Sequence, residues 1–151
     1  KPGKDGMYRT RVDDKIIQQW LDVARQHKAI LLLNIQPGRA KFIDEVKYYE
    51  KWLKEPDVGL ALDPEWAVSE GQRPGSVFGH VTGQELNECA EFTSKIVTDN
   101  NLPEKVFLYH QLHVQIVTDE TALKPHPGLV YIKSIDGIGS EKMKTETYNV
   151  S

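Results

Sequence analysis

Apolar runs of strand length alternate with helix-spaced apolar stripes along this chain, and the alternation constrains the fold more than any other feature. The apolar runs span about residues 29–35, 58–62, 105–110 and 129–133. A helical pattern precedes the first run, and further helical patterns follow the runs. Strands that alternate with helices form a parallel sheet with right-handed crossovers. The sequence therefore predicts an α/β fold of parallel β/α units at about 29–54, 58–101, 105–123 and 129–150.

Local signals support the helices of this scheme. Asp13 or Asp14 can cap the first helix. The stripe over 42–53 predicts one helix, which Glu55-Pro56 ends. Thr82-Gly-Gln-Glu85 has the spacing of a capping box and opens the longest predicted helix.

The size of the chain limits which α/β architecture it can form. Its 151 residues suit one domain, whereas an eight-stranded barrel typically needs about 250 residues. We therefore expect residues 1–151 to be a single α/β domain or a barrel fragment. The fragment would belong to a TIM-type (β/α)8 barrel, and the alternative is a small open α/β sheet. Either form leaves sheet edges that the remaining barrel segments or a second copy must cover.

Composition and charge exclude several classes of function. The net charge is −3, so no basic surface predicts a nucleic-acid partner. Apolar runs such as 29–33 are too short to cross a bilayer, and no signal peptide opens the chain. The single cysteine, Cys89, excludes an internal disulfide, and we expect it to be a packed, inert thiol. We predict no metal and no cofactor, because the chain lacks ligand-spacing motifs and glycine-rich phosphate loops.

Two acids and a tryptophan follow the second predicted strand, as Asp63, Glu65 and Trp66. Ligands of β/α proteins bind at the carboxyl ends of the strands, so acids placed there are candidates for catalysis. Glycoside hydrolysis needs a pair of carboxyl groups, and Trp66 could stack on a sugar ring. The competing interpretation is structural: Asp63 caps a turn, Glu65 is solvated and Trp66 packs under the following loop.

Polar side chains also follow the first and third predicted strands. Asn34, Gln36 and Arg39 end the first strand and are candidate substrate-binding residues. His110 ends the third strand, where it is a candidate general base or hydrogen-bond donor to substrate. A hydrogen-bonded histidine without catalytic duty is the alternative. Gln111 follows as a further candidate for substrate binding.

The fourth predicted strand ends at Lys133, and Asp136 follows it. Asp136 is a candidate catalytic partner for Asp63 or Glu65. Lys133 is a candidate substrate-binding residue, and a desolvated lysine there could form a Schiff base as in an aldolase. The structural interpretation pairs Lys133 with a carboxylate, namely Asp63, Glu65 or Asp136.

Several of these segments together resemble a known family. They are Asn34 to Arg39, Gly59 to Trp66, His110-Gln111 and Asp136-Gly137. From about Asp5 to Tyr148 the chain resembles a family of uncharacterised bacterial secreted proteins and lipoproteins, frequent in actinobacteria, with a glycosidase-like β/α barrel. The resemblance implies that the chain is the central part of such a barrel and acts in the cell envelope or outside the cell. It assigns no roles to residues.

The sequence thus favours a glycosidase-like hydrolase that acts on a carbohydrate of the cell envelope or exterior. Its catalytic candidates are Asp63, Glu65, His110 and Asp136. A non-catalytic module that holds a glycan or peptidoglycan fragment is the main alternative. An aldolase or lyase that works through Lys133 is the third.

Overall fold

The computed structural model describes residues 2–113, 115–135, 141–142 and 144–145. Helices α1 to α4 span Asp14–Gln26, Phe42–Tyr48, Glu50–Leu53 and Gly83–Asp99. Strands β1 to β6 span Leu31–Ile35, Val58–Leu62, Val81–Thr82, Lys105–Gln111, Val117–Thr118 and Leu129–Ile135. Short 3₁₀ turns span Pro64–Trp66 and Glu120–Ala122.

Strands β1, β2, β4 and β6 form a parallel sheet in that order. The order follows the chain, so each crossover connects neighbouring strands. Strands β3 and β5 form a separate two-stranded parallel pair between the larger elements. The prediction of an α/β protein with a parallel sheet is confirmed.

The helices cover one face of the sheet and enclose the core. Alternate residues of β4 are buried, among them Phe107, which is inaccessible to solvent. Helix α4 packs Leu86 and Cys89 into the same cluster, and α1 contributes Leu21. Burial raises the pKa of the Cys89 thiol far above its ordinary value, which fits the expected packed, inert cysteine.

The opposite face of the sheet is much less covered. Because side chains alternate along a strand, this face carries Gly59 and Ala61 from β2, with Val130 and Ile132 from β6 at one edge. Val130 and Ile132 are 40% and 41% exposed. A Cβ in place of Gly59 would lie 2.9 Å from the backbone carbonyl oxygen of Val106 on the neighbouring strand, so this part of the face favours glycine.

A buried lysine closes the amino end of the sheet. Lys105 begins β4 with 2% exposure, and its ammonium donates hydrogen bonds to the carbonyl oxygens of Glu55 and Val58. Burial lowers the pKa of Lys105 to about 8. The lysine ties the start of β2 to the start of β4, at the end of the sheet away from the candidate site.

Three local predictions differ from the structure. Asp13 stands at the start of α1, but its side chain makes no capping hydrogen bond. The side chain of Asp14 accepts a hydrogen bond from the indole N–H of Trp52 at 2.9 Å. The helix expected over 42–53 breaks at Tyr49, whose hydroxyl accepts a hydrogen bond from the backbone of Val12. The short helix expected between 113 and 123 is reduced to one 3₁₀ turn, because residues 117–118 pair with β3 instead.

Among the described residues, no helix combines the length and the hydrophobicity that crossing a membrane requires.

Candidate functional site

Asp63 is the centre of a hydrogen-bonded cluster at the carboxyl end of the sheet. It is 5% exposed, and its Oδ2 accepts hydrogen bonds from Asn34 Nδ2 at 2.8 Å and Gln36 Nε2 at 3.1 Å. Its Oδ1 lies 3.3 Å from His110 Nε2. The structure thus brings together Asn34, Gln36, Asp63 and His110, which the sequence nominated from three different strands.

Strand register explains why these residues meet. The Asp63 backbone N–H donates to the carbonyl oxygen of Ile35 at 3.0 Å, which continues the pairing of β1 and β2 past the last strand residue. Ile35 pairs with Leu62, and Leu62 with Tyr109, so the next residues along each strand fall in one row. That row holds Gln36, Asp63, His110 and Ser134, on the face that the helices leave uncovered.

Glu65, two residues after Asp63, lies in a different environment from that aspartate. Strand geometry stops at Leu62, and a 3₁₀ turn that starts at Pro64 carries Glu65 and Trp66. Glu65 is half-buried, and among the described residues its Oε2 has no hydrogen-bond partner. Burial raises the pKa of Glu65 to about 7, and the negative charge of Asp63 adds to the increase. The side chain can therefore hold a proton near neutral pH.

Two cavities open near the strand ends, one bordered by Glu65 and the other by Asn34 and Gln36, the amides that bind Asp63. The larger, about 440 Å³, is bordered by polar side chains that include Asn34, Gln36 and Arg9. The smaller, about 270 Å³, is bordered by Glu65 and by the apolar side chains of Val77, Phe78 and Leu112. Trp66 borders both. We refer to them below as the polar cleft and the apolar cavity.

The amino-terminal segment, residues 5–12, forms part of the wall of the polar cleft through Tyr8, Arg9 and Thr10. Arg9 and Arg11 hold it in place, because both pair with Glu45 of α2 at 2.7 and 3.0 Å. Glu45 is only 2% exposed. Sequence reasoning missed this contribution, since no local pattern marks an acid within a helix as the partner of two distant arginines.

Arg39 supports this wall instead of reaching into the cleft. Its guanidinium donates to the carbonyl oxygen of Gln72 at 3.0 and 2.9 Å and lies over the ring of Tyr8 at 4.4 Å. The preceding Gly38 has a φ of 60°, and a Cβ there would lie 2.2 Å from the carbonyl oxygen of Met7. This glycine lets the amino-terminal segment cross directly over the end of β1.

Lys133 and Gln111 lie apart from the Asp63 cluster. Lys133 pairs in register with the buried Tyr109, on the face that the helices cover. Its ammonium binds Glu120 Oε2 at 2.8 Å, while Tyr109 donates to Glu120 Oε1 at 2.6 Å. The carboxylate partner of Lys133 is therefore Glu120, an acid that the sequence did not indicate. Gln111 is 3% exposed on the same face, and its Oε1 has no hydrogen-bond partner among the described residues.

Asp136, the remaining catalytic candidate, lies outside the described residues. Within those residues, no group of three or more histidine, cysteine, aspartate or glutamate side chains could hold a metal ion.

No protein-family model, no curated protein and no solved structure matches this chain.

Proposed function

We propose that the chain carries the site of a glycosidase-like hydrolase, with Glu65 as the proton donor and Asp63 as the second carboxyl group. One observation carries this proposal: two neighbouring carboxyl groups at the strand ends occupy contrasting environments. Asp63 accepts hydrogen bonds from two amides, whereas burial raises the pKa of Glu65 to about 7. Pairs of carboxyl groups whose environments separate their protonation states are typical of acid–base catalysts.

The chemistry requires one proton and one water molecule. Glu65 donates its proton to the glycosidic oxygen as the carbon–oxygen bond breaks, and water supplies the hydroxyl group that replaces the leaving group. Asp63 faces the anomeric carbon as nucleophile or as the base that activates this water. His110 holds one Asp63 oxygen in position, while Asn34 and Gln36 hold the other and present polar edges to the cleft. Asp136 stays a predicted partner for these acids.

Hydrolysis of a panel of methyl and 4-nitrophenyl glycosides tests the proposal. We expect turnover of at least one sugar, and a loss of about 100-fold or more for methyl glycosides in Glu65→Gln, as for removal of a general acid. The loss should be smaller for 4-nitrophenyl glycosides, because nitrophenolate leaves without protonation. Glu70→Gln, an exposed acid in the following loop, is the matched control. No turnover by the parent chain, or equal turnover by parent and Glu65→Gln, would reject a catalytic role.

We also propose that the sheet belongs to a TIM-type (β/α)8 barrel. Three observations support it: the strands are parallel and follow chain order, the helices lie on one face, and the small residues Gly59 and Ala61 of β2 lie on the other. In a barrel, the weakly covered face becomes the packed interior and further strands pair with β1 and β6. The family resemblance supports the same architecture and an envelope or extracellular carbohydrate as substrate.

A non-catalytic glycan-binding module is the second candidate, and one observation favours it. Both oxygens of Asp63 are already engaged by Asn34, Gln36 and His110, as expected for a carboxylate that orders a binding surface. Such a module predicts glycan binding without turnover, retained in Glu65→Gln. The aldolase hypothesis gains no support, because Lys133 pairs with Glu120 on the face away from the cleft.

A further inference from the structure

The polar cleft and the apolar cavity, which meet at Trp66, differ sharply in chemistry. The polar cleft offers the amides of Asn34 and Gln36 and the guanidinium-bearing Arg9, groups that suit the hydroxyls of a sugar. The apolar cavity offers Val77, Phe78 and Leu112, which suit a group without hydroxyls. A substrate that reached into both would therefore have one polar end and one apolar end.

Glu65 is the acid that such a substrate would meet at its apolar end. It borders the apolar cavity, and its Oε2 is buried without a hydrogen-bond partner among the described residues. A buried carboxyl oxygen without a partner is costly, and a ligand oxygen that shares its proton would remove the cost. Trp66, the next residue, borders both cavities and so marks the boundary between them.

The size of the apolar cavity fits one aromatic ring. Its volume is about 270 Å³, and a cavity of about 150 Å³ is already enough to hold benzene. Phe78 offers a ring that is 54% exposed and stacks on His113 with the centroids 6.0 Å apart. Aromatic side chains at the wall of a cavity favour aromatic ligands through edge and stacking contacts.

We infer that the substrate is a glycoside with an aromatic leaving group, whose sugar lies in the polar cleft and whose aromatic ring fills the apolar cavity. This inference rests on the proposed function for the sugar, but not for the ring. The linking oxygen then meets Glu65 at the wall of the apolar cavity, next to Trp66. The apolar cavity thus sets specificity for the leaving group, and the polar cleft sets specificity for the sugar.

Binding of three kinds of probe to the full chain tests the inference, by calorimetry or ligand-detected NMR. The probes are phenyl glycosides of common sugars, methyl glycosides of the same sugars, and phenol. We expect phenyl glycosides to bind about tenfold more tightly than the matched methyl glycosides, through the added aromatic contacts. We expect Phe78→Ala to abolish most of that difference and to leave methyl glycoside affinity unchanged.

The control variants separate effects on folding from effects on ligand binding. Phe78 is largely exposed, so its removal should leave the unfolding transition in place, and Val23→Ala on α1 removes a side chain of equal exposure that borders neither cavity. Val77→Asp, which places a charge in the apolar cavity, should repeat the effect of Phe78→Ala. Equal affinity for phenyl and methyl glycosides, or equal losses for both in Phe78→Ala, would overturn the inference.

The probes also separate this inference from the proposed function. Phenol binding that Phe78→Ala removes, without binding of any glycoside, would support the aromatic cavity and contradict the carbohydrate function. Binding of methyl glycosides without any gain from a phenyl group would support the carbohydrate function and contradict the aromatic cavity.

Discussion

At the scale of single residues, Asp63 and Glu65 show how position along one turn sets the behaviour of a carboxyl group. Asp63 continues the strand pairing, and its neighbours on β1 and β4 supply nitrogen atoms to both of its oxygens. Glu65 has left the strand, and among the described residues its Oε2 has no hydrogen-bond partner, so burial is the main cause of its raised pKa. The carboxyl group of Asp63 therefore acts as a fixed hydrogen-bond acceptor, whereas that of Glu65 can hold a proton.

Asp63→Asn should destabilise the protein. An amide keeps one acceptor oxygen but turns an N–H₂ group toward the donors of Asn34, Gln36 or His110. Because position 63 is buried, this N–H₂ group would lack an acceptor, and an unsatisfied buried polar group costs about 1–3 kcal/mol, measurable by urea unfolding at pH 7. Glu70→Gln, a change of the same kind at an exposed position, should shift the free energy of unfolding by less than about 0.5 kcal/mol. Unchanged stability in Asp63→Asn would show that the cluster is not formed in solution.

Glu65→Gln should change how stability depends on pH. The pKa of Glu65 lies at about 7 in the folded chain against an ordinary value of 4.5, so the folded state binds more protons between these values. Stability from this group is therefore full below pH 4.5 and is lost as the pH rises through 7. The full shift corresponds to about 3 kcal/mol at about 1.4 kcal/mol per pKa unit, and because Glu65 is only half-buried, solvent screening reduces the expected loss to on the order of 1–2 kcal/mol.

The difference between parent and variant isolates this effect from other titrating groups. In urea unfolding from pH 4 to pH 8, Glu65→Gln should lack the decline and be more stable than the parent at pH 8. Profiles that run parallel over the whole range would contradict the raised pKa of Glu65.

The sequence nominated the four residues that form the Asp63 cluster, but it could not predict their hydrogen bonds. Asn34, Gln36, Asp63 and His110 each follow an apolar run, and the strand-end rule nominates such residues. The hydrogen bonds among them depend on strand register, which no local pattern encodes. Lys133 was also nominated from its position near a strand end. The face of the sheet on which its side chain lies depends on the register between β6 and β4, which the sequence does not reveal.

At the scale of elements, the site depends on a segment that has no regular structure. Arg9 and Arg11 hold residues 5–12 at the strand ends by binding the buried Glu45, and Val12 donates to the Tyr49 hydroxyl. The Arg39 backbone N–H also donates to the carbonyl oxygen of Met7. The polar cleft therefore has a wall that one change in α2 can loosen. Changes that loosen the amino-terminal segment therefore provide a way to test the site.

Glu45→Gln should release that segment and destabilise the fold. The change removes the negative charge that two arginines share, and breaking a buried pair by altering one partner costs about 3–5 kcal/mol. Hydrogen exchange of residues 7–12 reports the release directly. Asp5→Asn, which removes an exposed ion pair with Arg9 and keeps an oxygen for the Met7 N–H, should destabilise the chain far less. Slow exchange of this segment in Glu45→Gln would contradict its attachment through Glu45.

Strong local signals explain which elements the sequence predicted well. β2 covers the predicted 58–62 because an apolar run meets a proline at its end, and α4 begins with the predicted capping box between Thr82 and Glu85. The break between α2 and α3 escaped prediction, because the apolar stripe continues through Tyr49 and only a tertiary contact marks the interruption. Strands β3 and β5 have two residues each, too few for any periodicity.

At the scale of the whole molecule, the sheet presents a face that its own described elements do not cover. Val130 and Ile132 at the β6 edge are largely exposed, and on α1 Ile16, Trp20 and Val23 are 40%, 47% and 55% exposed. Apolar groups in such number indicate contact with further structure. The barrel proposal assigns that role to additional β/α units, on the side of β1 as well as β6.

Ile132→Lys tests this view of the sheet. The parent chain, taken alone, should self-associate through the uncovered face, and a lysine at this exposed position should shift sedimentation velocity profiles toward the monomer. The chain's own stability should change by less than about 1 kcal/mol, whereas Phe107→Ala in the covered core should cost about 3–5 kcal/mol. A parent that stays monomeric at all concentrations would contradict an interface on this face.

The most direct test of the account is a pH titration of the Glu65 carboxyl carbon by NMR, on protein labelled with ¹³C-glutamate and assigned with Glu65→Gln. The account predicts a midpoint near pH 7, which falls in Asp63→Asn because the neighbouring negative charge is lost. A Glu65 that titrates near its ordinary value of 4.5 would contradict the central claim, that a proton-donating glutamate lies beside the hydrogen-bonded Asp63.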